Sequence, residues 1–475
     1  MKVLLIQPPT SGITGLRSFI RVEPLGLETV AATLLREHEV EILDARLEPA
    51  VRRVLTSFQP DAVGVTAQFT SGVYNTYAVL ETVREHNPRI RTFVGGHHAS
   101  LCPDNFAGRA DAVVIGEGEM TAGELLRAWE RGGDLREVEG IAFQQGDAWF
   151  RTPPRPLIGN LDDMPLPARH LTHKYWDRYY QGRWRSCAWV ETSRGCPYRC
   201  KFCSVWKFHR GCFRARGPER VVEEVRQLAA ANVVFSDDNF LADASRAARI
   251  CQLIRARNIH KSFEMEARAD AIVRNPELVK EWRDIGLGNV VIGFEAVTQE
   301  GLDAINKHTS VKHNEEAISI LKRLGVNAMC SFIVDTAFKE EDFVRLRDYI
   351  KRLRPPFPTF SVLTPLPGTE LWEAWRSRLI TQNYELFDIQ HAVVAPYLGL
   401  RRFYQEYAKL YRSIYLNRHL PRLLFDTLWA GSPLTFLQRA WGVLGLIRRV
   451  VDPDAFLNDY RPSPPTNAAQ QRAGT

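Results

Sequence analysis

No run in this chain of 475 residues is both long and apolar enough to cross a bilayer, which takes roughly 18 consecutive apolar residues. The longest uncharged apolar stretch late in the chain, residues 440–447, falls far short. No secretory leader is expected either: one Lys and a short apolar run, Val3–Ile6, precede Pro8-Pro9, with no extended apolar segment. A cytoplasmic location is expected. Cysteine is sparse, eight residues in all, and in that compartment they are expected as thiols or metal thiolates, not disulfides. Charge of one sign is barely in excess, 62 Lys and Arg against 55 Asp and Glu, a formal +7. With 45% hydrophobic and 25% charged residues, disorder, collagen-like repeats and coiled coil are excluded for the bulk of the chain.

What is present is a repeated alternation of short apolar runs with helical stretches. In residues 1–135 the runs are Val3–Ile6, Val40–Leu43, Ala62–Thr66, Arg91–Val94 and Ala112–Ile115, with helical spacing over Leu25–Leu35. Strands apolar throughout and separated by helices predict a parallel sheet covered on both faces, a doubly wound, flavodoxin-like α/β domain. Ligands of such a sheet sit at strand C-termini. There the chain places Gly95-Gly96-His97-His98 and Gly116-Glu117-Gly118. Either glycine set alone fits a tight turn; two on neighbouring strands favour a bulky ligand approached closely by backbone. Residues 136–184 are proline-rich and without a clean period, and read as a linker. Over 185–375 six further runs alternate with helices: Ala188–Thr192, Val233–Ser236, Phe263–Ala267, Val290–Phe294, Ala328–Val334 and Thr359–Leu363. They predict a partial (β/α)6 barrel with its chemistry at strand C-termini.

Directly after the first of these strands stands Arg194-Gly195-Cys196-Pro197-Tyr198-Arg199-Cys200-Lys201-Phe202-Cys203. The C-x-x-x-C-x-x-C spacing puts three thiolates on one loop, enough for three irons of a cubic cluster with the fourth left open. Structural zinc would call for a fourth ligand at a paired spacing, and no second C-x-x-C exists in the chain.

This loop, with an aromatic Phe202 before its last Cys, resembles that of the radical S-adenosylmethionine (SAM) enzymes. The resemblance spans residues 185–370 and implies a [4Fe-4S] cluster on Cys196, Cys200 and Cys203 that chelates SAM. Ser236-Asp237-Asp238-Asn239-Phe240 resembles the segment that meets the SAM amine, Glu266 and Arg268 match positions contacting ribose and carboxylate, and Gly293-Phe294-Glu295 is similar to the fourth-strand motif. For each of these charged residues an ordinary ion pair is the competing reading. Thr364-Pro365-Leu366-Pro367-Gly368-Thr369 resembles the sixth-strand segment of the cobalamin-linked branch. Asp335 departs from the pattern, standing where many relatives have Gly.

The first domain is similar to the cobalamin-binding module of that branch, through Pro24-Leu25-Gly26-Leu27 and the two glycine loops. Cobalamin contacts are accordingly expected from Thr66, Gly95, Gly96, His97, Gly116, Glu117 and Gly118. The D-x-H-x-x-G motif that supplies a histidine to cobalt in some cobalamin proteins is absent.

The pairing implies a cobalamin-dependent radical SAM methyltransferase, which moves methyl from SAM through cobalamin to an unactivated carbon and needs no general-base triad. Arg21-Val22-Glu23-Pro24-Leu25-Gly26-Leu27 and Cys203-Ser204-Val205-Trp206-Lys207-Phe208 resemble hopanoid C-3 methylases and methylases of chlorophyll side chains, so a large apolar polycycle is the expected substrate, first a hopanoid. A tetrapyrrole methylase or ring cyclase is the alternative. An electron donor of flavodoxin or ferredoxin type is implied. Cys187 and Cys212 lie near the loop and read as core thiols or, less in keeping with the pattern, methyl carriers. RNA-modifying relatives usually bring an additional N-terminal cysteine set, whereas this domain holds only Cys102; no nucleic acid is expected.

Residues 376–460 predict a helical region. Phe403, Tyr407, Leu410, Tyr411, Ile414 and Tyr415 recur at helical spacing, followed by Trp429, Trp441 and Leu444–Ile447. Between Arg401 and Val450 nine Lys and Arg face two acids, Glu406 and Asp426, so this segment alone matches the whole +7. Two readings fit: an amphipathic helix on the anionic inner membrane surface, or a helical lid packed on the barrel. Residues 461–475 are expected to be disordered.

Overall fold

The computed structural model of the chain describes residues 1–10, 20–182, 184–414, 445 and 448–460. Strands β1 (Lys2–Gln7), β2 (Glu39–Asp44), β3 (Ala62–Thr66), β4 (Arg91–Gly95) and β5 (Ala112–Val114) run parallel in the order β2-β1-β3-β4-β5. Val3, Leu4, Leu5 and Ile6 are each at most 1% exposed, because helices cover both faces of the sheet. Helices α1 (Leu25–Leu34) and α5 (Gly118–Arg131) cover one face, with Ala31, Leu34, Leu125 and Leu126. Helices α2 (Val51–Phe58) and α3 (Val73–His86) cover the other through Val54, Leu55, Val79 and Val83; the short α4 (His97–Leu101) follows β4. Strand order reverses between β1 and β3, which opens a crevice at their C-terminal ends.

The stretch read as a linker is partly a correction. Ile141–Gln145 (β6) and Ala148–Arg151 (β7) form a hairpin that extends the first sheet antiparallel from β5. Ile141, Ala142 and Phe143 are buried, and Gly146 takes the turn at φ +59°. Apolar contact with β5 holds a short, polar-tipped hairpin that lacks a long apolar run of its own.

The second sheet has six parallel strands in chain order: β8 (Cys187–Val190), β9 (Asn232–Phe235), β10 (Ser262–Glu266), β11 (Leu287–Glu295), β12 (Asn327–Val334) and β13 (Phe357–Val362). Between them lie α6 (Pro218–Gln227), α7 (Ala244–Ala256), α8 (Pro276–Asp284), α9 (Val311–Leu324) and α10 (Glu340–Leu353). Val290, Ile292, Phe294, Ala328, Cys330 and Phe332 are buried under these helices. Their alternates Val291, Gly293, Met329 and Ser331 are only half-buried, so the concave side of the sheet encloses a hollow.

Helix α11 (Gly399–Tyr411) decides between the two readings of its aromatic stripe. Phe403, Tyr404, Tyr407 and Leu410 are fully buried, Phe403 lies edge-on to Phe343 of α10 at 5.6 Å, and the Tyr407 hydroxyl donates to the Phe360 carbonyl at 3.1 Å. That face packs on the barrel, so its apolar side chains do not face a membrane. Tyr415, Trp429, Trp441, Leu444, Leu446, Ile447 and the 461–475 tail lie outside the described residues. Among those described, no helix is long and apolar enough to cross a membrane.

Helix α12 (Pro453–Asp459) is held to α11 by Tyr404 stacked on Phe456 at 4.6 Å. Beneath it the buried His391 has Nδ1 3.0 Å from Asp388 and Nε2 3.2 Å from Asp459. Burial opposes its charge, but bonds to the two carboxylates outweigh it and raise the imidazole pKa. A folded pKa raised above the ordinary value of about 6.5 stabilises fully below that value and is lost as pH rises through the folded pKa. Thermal unfolding followed from pH 6 upward should therefore show a loss of stability that His391→Gln lacks; parallel curves for the two proteins would rule out this contribution of the His391 pair with Asp388 and Asp459.

Candidate functional site

The loop that carries the three cysteines is closed at its base. Ser193–Arg194 pairs antiparallel with Arg214–Ala215, bringing the two ends of a long excursion together. Gly195 begins it at φ +84°, where a Cβ would lie 2.2 Å from the Cys212 carbonyl oxygen. The Cys200 carbonyl accepts from Cys203 N at 3.1 Å and from the Trp206 indole at 3.1 Å. Cys200 is buried and Cys196 and Cys203 half-buried, as is Phe202. Burial pushes all three thiols up, Cys203 to about 12. They become thiolates only against strong positive charge, as a metal provides. Among the described residues no three His, Cys, Asp or Glu side chains are arranged to hold a single metal ion; in a cubic cluster each thiolate caps its own iron.

Carboxylates line the hollow beside this loop. Asp238 is pushed up to about 6 by burial, then by Asp237 and Glu191. Glu266 reaches about 8, through burial first and Asp238 second; it keeps accessible surface although protein surrounds it, as a side chain facing an internal hollow does. Ser193 Oγ and Asn239 Oδ1 are buried there without a partner. Acids held part-protonated, with unused polar atoms, suit a cationic ligand that would restore their charge, and the ammonium and sulfonium of SAM fit that description.

Three residues expected at the SAM site make bonds within the chain. Asp237 accepts from Thr192 N at 2.6 Å, from Ser193 N at 2.9 Å and from the Thr192 hydroxyl, so it fixes the strand end while Asp238 faces the thiols. Arg268 spends Nε on Asp270 at 2.9 Å and Nη2 on the Lys307 and His308 carbonyls, stacked over Tyr198 at 3.6 Å. Glu295, left-handed at φ +60°, bonds Lys307 Nζ at 2.7 Å. Asp335 turns onto Ala337 N at 2.8 Å. Cys187 is fully buried against Trp184 and Val234, as a core thiol. Glu191, Arg194, Tyr198 and Lys307 were given no role from the sequence; Arg194 and Tyr198 carried a signal, their place in the cysteine motif, and Glu191 and Lys307 carried none.

On the facing side, the C-terminal edge of the first sheet presents Gly95, then Gly96 at φ +106°, where a Cβ would stand 2.9 Å from the Ala67 carbonyl oxygen. Thr66 ends β3, its carbonyl accepting from Thr76. Gly116, at φ +85°, borders open space, and a Cβ on Gly118 would press Val30 at 3.2 Å. Phe69, 70% exposed after β3, adds apolar surface. A glycine-lined crevice with an apolar flank fits a broad ligand such as a corrin ring.

Glu117 is reassigned as a joint between domains. It accepts from Arg194 at 2.8 Å, Arg214 at 3.0 Å and Ile158 N at 2.7 Å. His97 Nε2 lies 2.7 Å from Ser204 Oγ, and its ring stacks on Phe208 at 4.7 Å, so the crevice opens onto the cysteine loop. Burial lowers His97 and His98 to about 4. Both His98 nitrogens are taken, by Thr70 at 3.0 Å and Asn105 at 3.1 Å.

The same two modules are found in known proteins. Residues 190–350 match the Radical SAM superfamily and 17–126 the B12 binding domain. The chain is 34% identical to hopanoid C-3 methylase of Methylococcus capsulatus, over 97% of this chain and 90% of that protein. It is 30% identical to the anaerobic magnesium-protoporphyrin IX monomethyl ester cyclase of Rubrivivax gelatinosus, over 74% of this chain and 64% of that one. In fold it is similar to the cobalamin-dependent SAM radical enzyme OxsB with aqua-cobalamin and SAM bound, at TM-score 0.72 and 17% identity, covering 99% of this chain and 74% of that one. Two cofactor domains joined through Arg194 and His97, with a full-length relative, place the chain in the cobalamin-dependent radical SAM methyltransferase family, whose cofactors are a [4Fe-4S] cluster, SAM and cobalamin.

Proposed function

We propose that this enzyme methylates an unactivated ring carbon of a hopanoid, at C-3. The observation that carries the reading is the 34% identity, nearly end to end, with a hopanoid C-3 methylase. When bound, SAM on the cluster supplies a carbon radical and cobalamin a transferable methyl group. The chain's part is placement. Cys196, Cys200 and Cys203 would hold the cluster. Asp238, Glu266 and Phe202 would line the SAM site, while Gly95, Gly96, His97, Gly116 and Gly118 would border the corrin. A low-potential flavodoxin- or ferredoxin-type donor belongs to the proposal.

Reconstituted protein given SAM, cobalamin, a low-potential reductant and a hopanoid should yield a product heavier by one methylene. A chlorin precursor run in parallel tests the second reading, favoured by the 30% identity with the cyclase. Ring closure without methyl transfer, or methylation of the chlorin alone, would overturn the hopanoid assignment.

Contact with an anionic membrane surface is proposed for the basic segment between Arg401 and Val450, which would meet a lipid-like substrate where it resides. Each basic side chain near such a surface contributes about 1 kcal/mol. Replacing Arg418, Arg422 and Arg439 together by Gln should weaken binding to phosphatidylserine vesicles on the order of a hundredfold. Unchanged co-sedimentation would remove the membrane from the proposal.

A further inference from the structure

The turn between α9 and the short helix Gln299–Ala304 clasps the cysteine loop on both sides of Cys200. Lys201 N donates to the Ile305 carbonyl at 3.1 Å, and Asn306 Nδ2 donates to the Arg199 carbonyl at 2.8 Å. The turn is held in an unusual form: Asn306 and His308 sit at φ +58° and +50°, and Arg268 ties down the carbonyls of Lys307 and His308 at 2.7 and 2.9 Å. The next residue, Lys307, is thereby carried inward, 8% exposed. Its Nζ meets Glu295 at 2.7 Å, and Gly293 leaves the room, since a Cβ there would stand 2.1 Å from Glu295 Oε1 and 2.8 Å from Lys307 Nζ. Two left-handed residues, a left-handed Glu295 and a required glycine converge on one buried ion pair. Backbone strain of that kind persists where the surroundings enforce it, and gathers at functional sites.

A buried ion pair is a poor device for stability, because desolvation offsets its attraction. As a field source it is effective: a cation fixed in the turn that grips the loop on both sides of Cys200, with its counter-anion held 2.7 Å away. We propose that Lys307 raises the reduction potential of the cluster by stabilising the added electron, and that Glu295 moderates this as its counter-ion. The step is one-electron reduction of the oxidised cluster by a low-potential donor, with no bond made or broken in the protein. Added negative charge on three thiolates and their irons is favoured by a cation that cannot move away. This inference rests on the cluster assignment and is independent of which substrate is methylated.

The experiment is an electron-paramagnetic-resonance redox titration of reconstituted protein without SAM, at one pH, with iron and sulfide measured per chain. Omitting SAM separates a field effect from any contact with that ligand. Lys307→Met should lower the potential and Glu295→Gln should raise it, each by about tenfold in the reduction equilibrium, 59 mV for one electron. Lys307→Arg should stay near the wild-type value, and the double variant Lys307→Met/Glu295→Gln should return toward it. Opposite signs from the two halves of one pair are what a structural role would not produce. Shifts of the same sign, or none at full iron content, would overturn the proposal. If Lys307→Met fails to hold iron, the upward shift expected of Glu295→Gln still decides: its absence rejects the idea. Loss of the cluster in every variant, wild type included, would fail the cluster assignment itself.

Discussion

Arg194→Met is expected to destabilise the protein by about 3–5 kcal/mol, the cost of stranding buried charges once their partner is removed. Arg194 Nη1 lies 2.8 Å from Glu117, Nη2 2.5 Å from Glu119 and Nε 2.6 Å from Glu191. Glu117 and Glu119 belong to the start of α5 in the first domain, while Arg194 and Glu191 flank the cysteine loop. Methionine fills similar volume and offers no donor, leaving the buried carboxylates of Glu117 and Glu119 without it in low dielectric. Arg214, 2.9 Å from Glu117 Oε1, retains one of them, so the loss should fall chiefly on Glu119, Glu191 being partly exposed. Denaturant unfolding followed by tryptophan fluorescence should show a lower midpoint, and Arg194→Met/Glu119→Gln should recover part of it. A midpoint shift worth less than about 1 kcal/mol, the range of exposed pairs, would mean that the joint is solvated in solution.

That joint shows what the sequence made legible. Strands were readable because sheets covered on both faces demand unbroken apolar runs, as Val3–Ile6 and Ala62–Thr66 supply. The three cysteines were readable as a set because one loop carries them all at C-x-x-x-C-x-x-C spacing. Asp237 and Asp238 were not separable: neighbouring residues of the same type point opposite ways from a strand end, and only the bonds of Asp237 to Thr192 and Ser193 show which is structural. Glu117 looked like part of a glycine loop at a ligand crevice, yet its partners, Arg194 and Arg214, lie in another domain. Lys307 gave no signal at all, since an isolated Lys in a polar stretch is ordinarily solvated. It is buried by the turn around Asn306, a property of backbone conformation and not of composition.

The α11 stripe carries the same lesson for packing. Its 3.6-residue periodicity specified an apolar face, and nothing in a periodicity says what covers it. Hydroxyls of Tyr404 and Tyr407 settle the matter physically. Tyr404 accepts from Ala392 N at 2.8 Å and Tyr407 donates to Phe360 O, bonds that a membrane interior could not offer. The basic excess counted for the whole segment from Arg401 to Val450 is therefore mixed in role: Arg401 and Arg402 already pair with Asp454 and Glu340.

Gly195→Ala should abolish cluster assembly while leaving most of the fold intact. At φ +84° an alanine carries strain of about 1–3 kcal/mol, and its Cβ would also sit 2.2 Å from the Cys212 carbonyl oxygen and 3.0 Å from His209 Cβ. The first neighbour is backbone at the base of the Ser193–Ala215 pairing and cannot swing aside. Relief must come from the loop itself, by opening the turn that leads into Cys196. Three thiolates then lose their common frame, and the buried, high-pKa thiols revert to neutral SH, with no iron to lower them. Iron and sulfide per chain after anaerobic reconstitution should fall to background, with far-ultraviolet circular dichroism unchanged and cobalamin still bound, since Gly95, Gly96 and Gly116 are untouched. Wild-type iron content in Gly195→Ala would show that the loop can move its base without moving its ligands, and the closed geometry described for it would be wrong.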